Sequence, residues 1–225
     1  LNPGVYNAVR GCHIQQLKFD TIANNLANVG TTGFKKSILF FDEALRVHEK
    51  TNMAQGSMRH TGNSLDLALA GEGFFKVNTA AGIRYTRDGR FYLNAQGELV
   101  TSNGHPVMGS GGPVSIDGTD VTVDATGRID VDGTEVDTLS IVFFDRSGRL
   151  RKEGLSCYVY EGDVGEGPRP EQTSVRQGYL EESNVAVTEE MIRMVEALRN
   201  FESYQKVLQT FDETDGKAIN EVGKL

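Results

Sequence analysis

The 225-residue chain has no tryptophan, only two cysteines, four scattered histidines and no long apolar run. Without tryptophan it lacks the usual platform for a sugar ring. That weighs against a carbohydrate-active enzyme, although two carboxylates can still meet in space as acid and base. Cys12 and Cys157 are too few for a disulfide framework or a metal site. Each sits among apolar residues and reads as a small buried side chain, with an intramolecular bond between them as the alternative. His13, His48, His60 and His105 make no two-ligand spacing on a helix. No stretch approaches the roughly 20 apolar residues that cross a bilayer. Near the start, Arg10 and Lys18 interrupt the pattern, and no apolar segment of the signal-peptide kind follows. By these rules alone the chain reads as cytoplasmic, but the rules do not cover export without a cleaved signal. Basic excess is missing too: the net charge of −8 argues against a general nucleic-acid binder.

What is present is apolar spacing at both ends. Val5, Cys12, Phe19 and Leu26 recur every seven residues, with Ala8, Ile22 and Val29 on a companion seam. Met191, Val195, Leu198, Phe201, Leu208 and Phe211 keep spacings of three, four and seven. Such stripes predict helices that bury a narrow face against other helices. The first helix is expected to run from about Pro3 to Ala27 and to stop at the segment Asn28 to Gly33. The last is expected to start near Thr188 as its N-cap and to reach at least Phe211, Gly216 weakening any continuation. Residues 1–50 carry six Lys/Arg against four Asp/Glu, and residues 181–225 carry five against ten. Two readings of that imbalance are open: complementary charge that sets helix register, or two solvated faces.

Between the ends the period changes. Residues 37–49 suggest a short helix over 41–48, and 50–63 read as an extended linker. From Leu65 short strands recur at intervals of about ten residues. They are separated by turns at Gly71-Glu72-Gly73, Asp88-Gly89, Asn94 to Gly97, Asn103-Gly104, Asp117-Gly118, Thr126-Gly127, Asp132-Gly133 and Ser147-Gly148. Antiparallel hairpins in a sandwich-like or barrel-like domain follow from that pattern. Gly162 to Pro170 reads as a surface loop. Gly71-Glu72-Gly73-Phe74 opens like a phosphate loop, but it lacks the third glycine and leads into a strand, so no anion site at a helix N-terminus forms. The Asp-Gly turns do not keep the alternating oxygen ligands of a calcium loop. Asn24, Asn25 and Asn28 are poor helix formers near a helix end. Either their amides bond sideways to other segments, or the helix end is simply seeking its cap.

Those asparagines also carry a resemblance. Asp20 to Val29 (DTIANNLANV), followed by Thr31-Thr32-Gly33-Phe34-Lys35-Lys36, resembles the N-terminal signature of bacterial flagellar rod and hook proteins. In the middle, Leu65-Asp66-Leu67-Ala68, Gly71-Glu72-Gly73-Phe74-Phe75 and Tyr85 to Phe91 (YTRDGRF) match as well. So do Gly178 to Val185 (GYLEESNV), Glu190-Met191 and Arg199-Asn200-Phe201-Glu202. Gly30, where the family usually has Asn, and Ala186, where a polar residue is common, depart from it. The length matches the shorter proximal-rod type better than the longer distal-rod type.

The resemblance implies a structural rod subunit, exported through the flagellar secretion channel without a cleaved signal and assembled in the periplasm. It implies terminal helices that form an inner coiled coil with the β domain outside. Partners are then other copies of the chain, other rod and hook axial proteins and the export apparatus, with no nucleic acid, membrane insertion, cofactor, metal or catalytic residue. The expected fold is α+β, with terminal helices forming a coiled-coil-like region (1–35 and 181–225), an extended connector (36–63) and a central, mainly antiparallel β domain (64–180). The expected assembly interface is Val5, Cys12, Phe19, Ile22, Asn24, Asn25, Leu26, Asn28, Met191, Val195, Leu198, Phe201, Leu208 and Phe211. Thr31, Gly33, Phe34, Gly71, Gly73, Phe74 and Phe75 carry the family motif. The alternative is a soluble β-domain binding module or carbohydrate-active enzyme whose terminal helices merely dimerise.

Overall fold

Heptad spacing at each end yields one helix at each end of the computed structural model, which describes residues 3–42, 46–144, 149–162, 167 and 170–222, with side chains through Lys217. Helix α1 spans Pro3–Ala27 and α2 spans Val187–Val222. Proline in the first turn of α1 forgoes a donor that has no helical partner there. Thr188 is not the N-cap of α2: the backbone N–H of Glu190 already bonds to the carbonyl of Ala186 at 3.0 Å, which puts the cap at Ala186. Glu189 and Glu190 place negative charge in the first turn, where the helix dipole favours it. Gly216 does not end the helix.

The short helix expected over 41–48 does not form. Strands β1 (Ser37–Phe41) and β2 (Val47–Thr51) pair there as a two-stranded sheet, residues 43–45 lying outside the described residues. Aromatic and β-branched residues in both segments favour the pleated form. The Asp42 carboxylate ties the end of β1 to the start of β2, accepting the Arg46 backbone N–H at 2.8 Å and facing His48 Nε2 at 3.0 Å. That backbone N–H, followed by the His48 contact, lowers the Asp42 pKa to about 2.

The chain divides into two compact units. One comprises Leu1–Ala27, Ser37–Lys50 and Ala186–Leu225, and so holds both helices and nearly all of the first hairpin. The other comprises Asn28–Lys36 and Thr51–Val185 and holds the remaining strands. The stretch 36–63 is shared between the two and carries β1, β2 and a third strand, β3 (Met58–His60).

In the β unit the next strands are β4 (Leu67–Ala70), β5 (Phe74–Thr79), β6 (Gly82–Thr86), β7 (Phe91–Leu93) and β8 (Leu99–Thr101). They are followed by β9 (Val121–Val123), β10 (Arg128–Val131), β11 (Thr134–Thr138), β12 (Ile141–Val142), β13 (Leu150–Glu153) and β14 (Cys157–Tyr160). The series ends with β15 (Ser174–Gln177) and β16 (Tyr179–Glu181). Every pairing among them is antiparallel: a five-stranded sheet in the order β12-β5-β6-β14-β13, a three-stranded sheet β11-β10-β9, and the pairs β7-β8, β15-β4 and β16-β3. The β10–β11 hairpin turns on Asp132 (φ 50°) and Gly133 (φ 80°), two positive values in the turn type that Asp-Gly favours. Successive residues of a strand face opposite sides. Accordingly Phe75 and Val77 enter one apolar cluster with Phe91, Leu99 and Ile129, while Phe74 enters a second with Tyr85, Phe144 and Tyr158. The expected turn at Ser147-Gly148 lies outside the described residues, as does most of the loop 162–170. Cys12 and Cys157 are free, half-buried thiols.

Candidate assembly interface

From Val187 to Asp215, only Glu190, Met194, Ala197, Phe201, Tyr204, Leu208 and Phe211 are not exposed. Their strict four-three alternation marks the face of α2 that packs on α1. The matching face of α1 buries Ala8, Gly11, Gln15, Ile22 and Asn25. Gly11 meets Tyr204 and Asn25 meets Glu190, so the helices run antiparallel. Small residues on both sides, Ala8 and Gly11 on α1 and Ala197 on α2, bring the axes close.

At Gly11 this closeness overrides propensity. Glycine inside a helix costs about 1 kcal/mol relative to alanine, yet a Cβ there would lie 2.5 Å from the Tyr204 ring. Gly11→Leu gains helix propensity but overpacks the seam, a cost of about 1–3 kcal/mol. The expected result is a lower melting temperature for the 222 nm helical signal, recovered by adding Tyr204→Ala. A higher melting temperature for Gly11→Leu alone would refute this packing.

The expected interface residues therefore separate into groups. Ile22 and Asn25 lie on the buried face of α1, while Val5, Cys12, Phe19 and Leu26 form a half-buried stripe beside it. Phe201, Leu208 and Phe211 lie on the seam of α2, and Val5 shares a cleft with the last two. Met191, Val195 and Leu198 do not: they are 57%, 49% and 45% exposed, on a second face of α2. Val29 is exposed rather than on a companion seam. The expected interface left out Gln15 and Glu190, which are polar, and Gly11, which has no side chain; Asn25 entered it as part of the asparagine group and not through its spacing.

The asparagines divide between the two readings that the sequence left open. Asn25 bonds sideways: its Oδ1 accepts the Ser37 N–H at 2.9 Å, and its Nδ2 donates to the Ser37 carbonyl at 2.9 Å and to Glu190 Oε2 at 3.3 Å. Asn28 serves the helix end, its carbonyl accepting the Thr31 N–H at 3.1 Å and its Oδ1 the Thr31 hydroxyl at 3.3 Å. Asn24 is exposed.

In the β unit the motif segments converge on one carboxylate. Glu181, fully buried at the end of β16, accepts Lys35 Nζ and the Gly56 N–H on Oε1, and Arg87 on Oε2. Lys35 also donates to the Ala54 carbonyl at 2.8 Å, and Arg87 to the Gly71 carbonyl at 2.7 Å. Burial pushes the pKa of both cations down, and Glu181 opposes that shift. The Gly33 N–H reaches the Glu181 carbonyl at 2.8 Å. Phe34 is buried beneath Lys152 Nζ, 3.5 Å from its ring centre. Gly73 stands in the turn into β5, where Phe74 packs under Arg87 at 5.4 Å and Phe75 edge-on against Phe91 at 5.2 Å. Nothing in the sequence signalled that Lys35 and Glu181, 146 residues apart, would meet.

Among the described residues no three His, Cys, Asp or Glu side chains gather to hold a metal ion, and no helix is long and apolar enough to cross a membrane. Comparison with known proteins finds matches along most of the chain. Residues 5–35 match the family described as flagella basal body rod protein, 68–131 the flagellar hook protein FlgE/F/G D1 domain, and 176–221 the flagellar basal body rod FlgEFG protein C-terminal family. The chain is 34% identical to the flagellar basal-body rod protein FlgF of Caulobacter vibrioides, over 92% of this chain and 93% of that one. It is 31% identical to the rod protein FlgG of Bacillus subtilis, over 96% and 97% of the two chains. It is 30% identical to FlgF of Rhizobium meliloti, over 99% of each. With matches in order from end to end, the chain belongs to the FlgE/F/G family of flagellar rod and hook proteins.

Proposed function

We propose that this chain is a structural subunit of the flagellar basal-body rod that polymerises through its two helices and performs no catalysis. One observation carries the reading: α2 spends one apolar face on α1 and keeps a second, Met191, Val195 and Leu198, turned to solvent. Large apolar side chains concentrated on one helix face mark an interaction surface. A neighbouring rod or hook-type subunit covers that face in the filament, and the half-buried stripe Val5, Cys12, Phe19 and Leu26 widens the contact. The relatives, basal-body rod proteins FlgF and FlgG, point to that assembly.

On this reading the terminal helices line the axis as a coiled coil. The chain reaches the periplasm unfolded, through the flagellar export apparatus, without a cleaved signal. Isolated helices with so much unburied seam gain their final stability from neighbouring subunits.

The test is Leu198→Glu. It is expected to leave the circular dichroism and melting of the purified chain unchanged, because Leu198 is exposed and lies off the seam. It is expected to remove the protein from isolated basal bodies and to abolish motility. A motile strain with normal amounts of the variant in its rods would sink the proposal.

A further inference from the structure

Hydrophobic matching alone leaves the α1–α2 pair free to slide. Both faces repeat every seven residues, so moving α2 by one heptad brings Phe211 over Gly11 in place of Tyr204. An aromatic ring again covers the glycine. Ala197 then stands beside Asn25 in place of Glu190. Apolar area discriminates poorly between two such arrangements, since each stacks rings and small residues in alternation.

The Asn25 node does discriminate. Glu190 is 1% exposed, and in the observed register its carboxylate accepts Asn25 Nδ2 at 3.3 Å and Arg193 at 3.3 Å. After a one-heptad slide Asn25 faces a methyl group, and a buried carboxylate loses a donor from α1. An unsatisfied buried polar group costs more than a made hydrogen bond gains. Asn25 also pairs with both backbone groups of Ser37, as a neighbouring strand would, so the position of β1 follows the same residue. Only an amide fits here. Aspartate has no donor for the Ser37 carbonyl and would set like charge against Glu190, and leucine makes none of the three bonds.

We infer that Asn25 is the register pin of the helical unit, the positioning residue that selects one of several heptad-related pairings of α1 with α2 and fixes β1 beside them. A single buried asparagine on a heptad seam specifies register at a cost in stability. The consequence for assembly, that a slipped pair presents the Met191–Leu198 face at the wrong height, rests on the rod-subunit reading. The register itself does not.

The experiment uses the full chain with Cys12→Ser and Cys157→Ser, and spin labels attached through His13→Cys and Gln205→Cys, two exposed positions off the seam. Pulsed dipolar spectroscopy reads the distance between them. The parent is expected to give one narrow distance. Asn25→Leu is expected to add a second population displaced along the helix by one heptad, about 10.5 Å, with helical content retained. A single unchanged distance in Asn25→Leu overturns the inference.

If that variant unfolds, Asn25→Leu with Glu190→Leu removes the stranded carboxylate. Slipped populations in the double variant support the pin. A native distance, or loss of folding in both variants, overturns it, because a register pin adds specificity and is not the source of the pair's stability. In cells, a slipped variant that still entered rods normally would strike the assembly reading and leave the register result standing.

Discussion

Glu181→Gln is expected to destabilise the β unit by about 3–5 kcal/mol, the cost of stripping the counter-charge from buried ions. That is a large share of the roughly 5–15 kcal/mol that holds a domain folded. The side chain keeps its shape and its acceptor for the Gly56 N–H, so the loss isolates charge. Two cations depend on it: Lys35 is 0% and Arg87 5% exposed. Arginine cannot relieve the strain by losing its proton. Urea unfolding followed by tyrosine fluorescence measures the effect, there being no tryptophan. Lys35→Met should cost less than half as much, since it leaves Glu181 and Arg87 as a one-to-one pair. A greater loss from Lys35→Met than from Glu181→Gln would contradict the assignment of Glu181 as the hub.

The same cluster gives a pH dependence of definite sign. Burial holds the Lys35 pKa below its ordinary value in the folded chain. Between that lowered value and the unfolded value of about 10.4 the unfolded state binds more protons, so stability rises with pH across the window. In Glu181→Gln the opposing pull of the carboxylate is gone, the folded pKa falls further, and the window extends downward. The variant's deficit should therefore shrink as the pH rises toward the unfolded value of about 10.4. A deficit that stays constant would mean Lys35 is not the group that titrates.

How much of this was written in the sequence depends on whether the relevant signal was local. The two helices and the antiparallel hairpins were, because 3.5-residue and two-residue periods are set by backbone geometry within each segment. The choice of seam was not. On α1 the apolar set Val5, Cys12, Phe19 and Leu26 outscores Ala8, Gly11, Gln15 and Asn25 in hydrophobicity, yet the latter is the buried face. Close approach selected small residues, and two buried polar side chains mimicked solvent-facing ones. On α2 the stripe read from spacing joined two faces, Met191-Val195-Leu198 and Phe201-Leu208-Phe211, that the structure separates.

The first hairpin failed for a related reason. Segment 37–49 mixes apolar and charged residues without a clean period, and its two strands are tied by Asp42 gathering Arg46 and His48. Lys35 is buried against a carboxylate 146 residues away, a pairing that no local pattern reveals. The family motifs gave a partial warning. Four of the runs that carry the resemblance, 31–36, 65–75, 85–91 and 178–185, meet around Glu181 in space. What looked like four separate signatures is one packing site read four times along the chain.

Gly30 and Gly33 turn that lesson into a contrast between two glycines three residues apart. Gly30 was one of two visible departures from the family pattern, so a motif reading directs attention to it. The structure directs it to Gly33. A Cβ on Gly30 meets nothing within 4 Å, and its φ is not in the left-handed region. Gly33 has φ 66°, and a Cβ there would lie 2.4 Å from the Asp88 nitrogen and 2.5 Å from the Arg87 carbonyl carbon. Those are backbone atoms of the β6–β7 turn and cannot swing aside. Gly33→Ala therefore combines left-handed strain with overpacking against main chain, together about 3–5 kcal/mol. It also pulls the Gly33 N–H from the Glu181 carbonyl and so loosens the segment that delivers Lys35 to its carboxylate. Gly30→Asn should lie within about 0.5 kcal/mol of the parent, the usual range for an unconstrained surface position. The two substitutions, measured side by side by urea unfolding, are expected to differ by the full effect of Gly33→Ala. Equal stabilities would mean that the close approach of the 31–36 segment to Arg87 and Asp88 is not what positions the buried charge cluster.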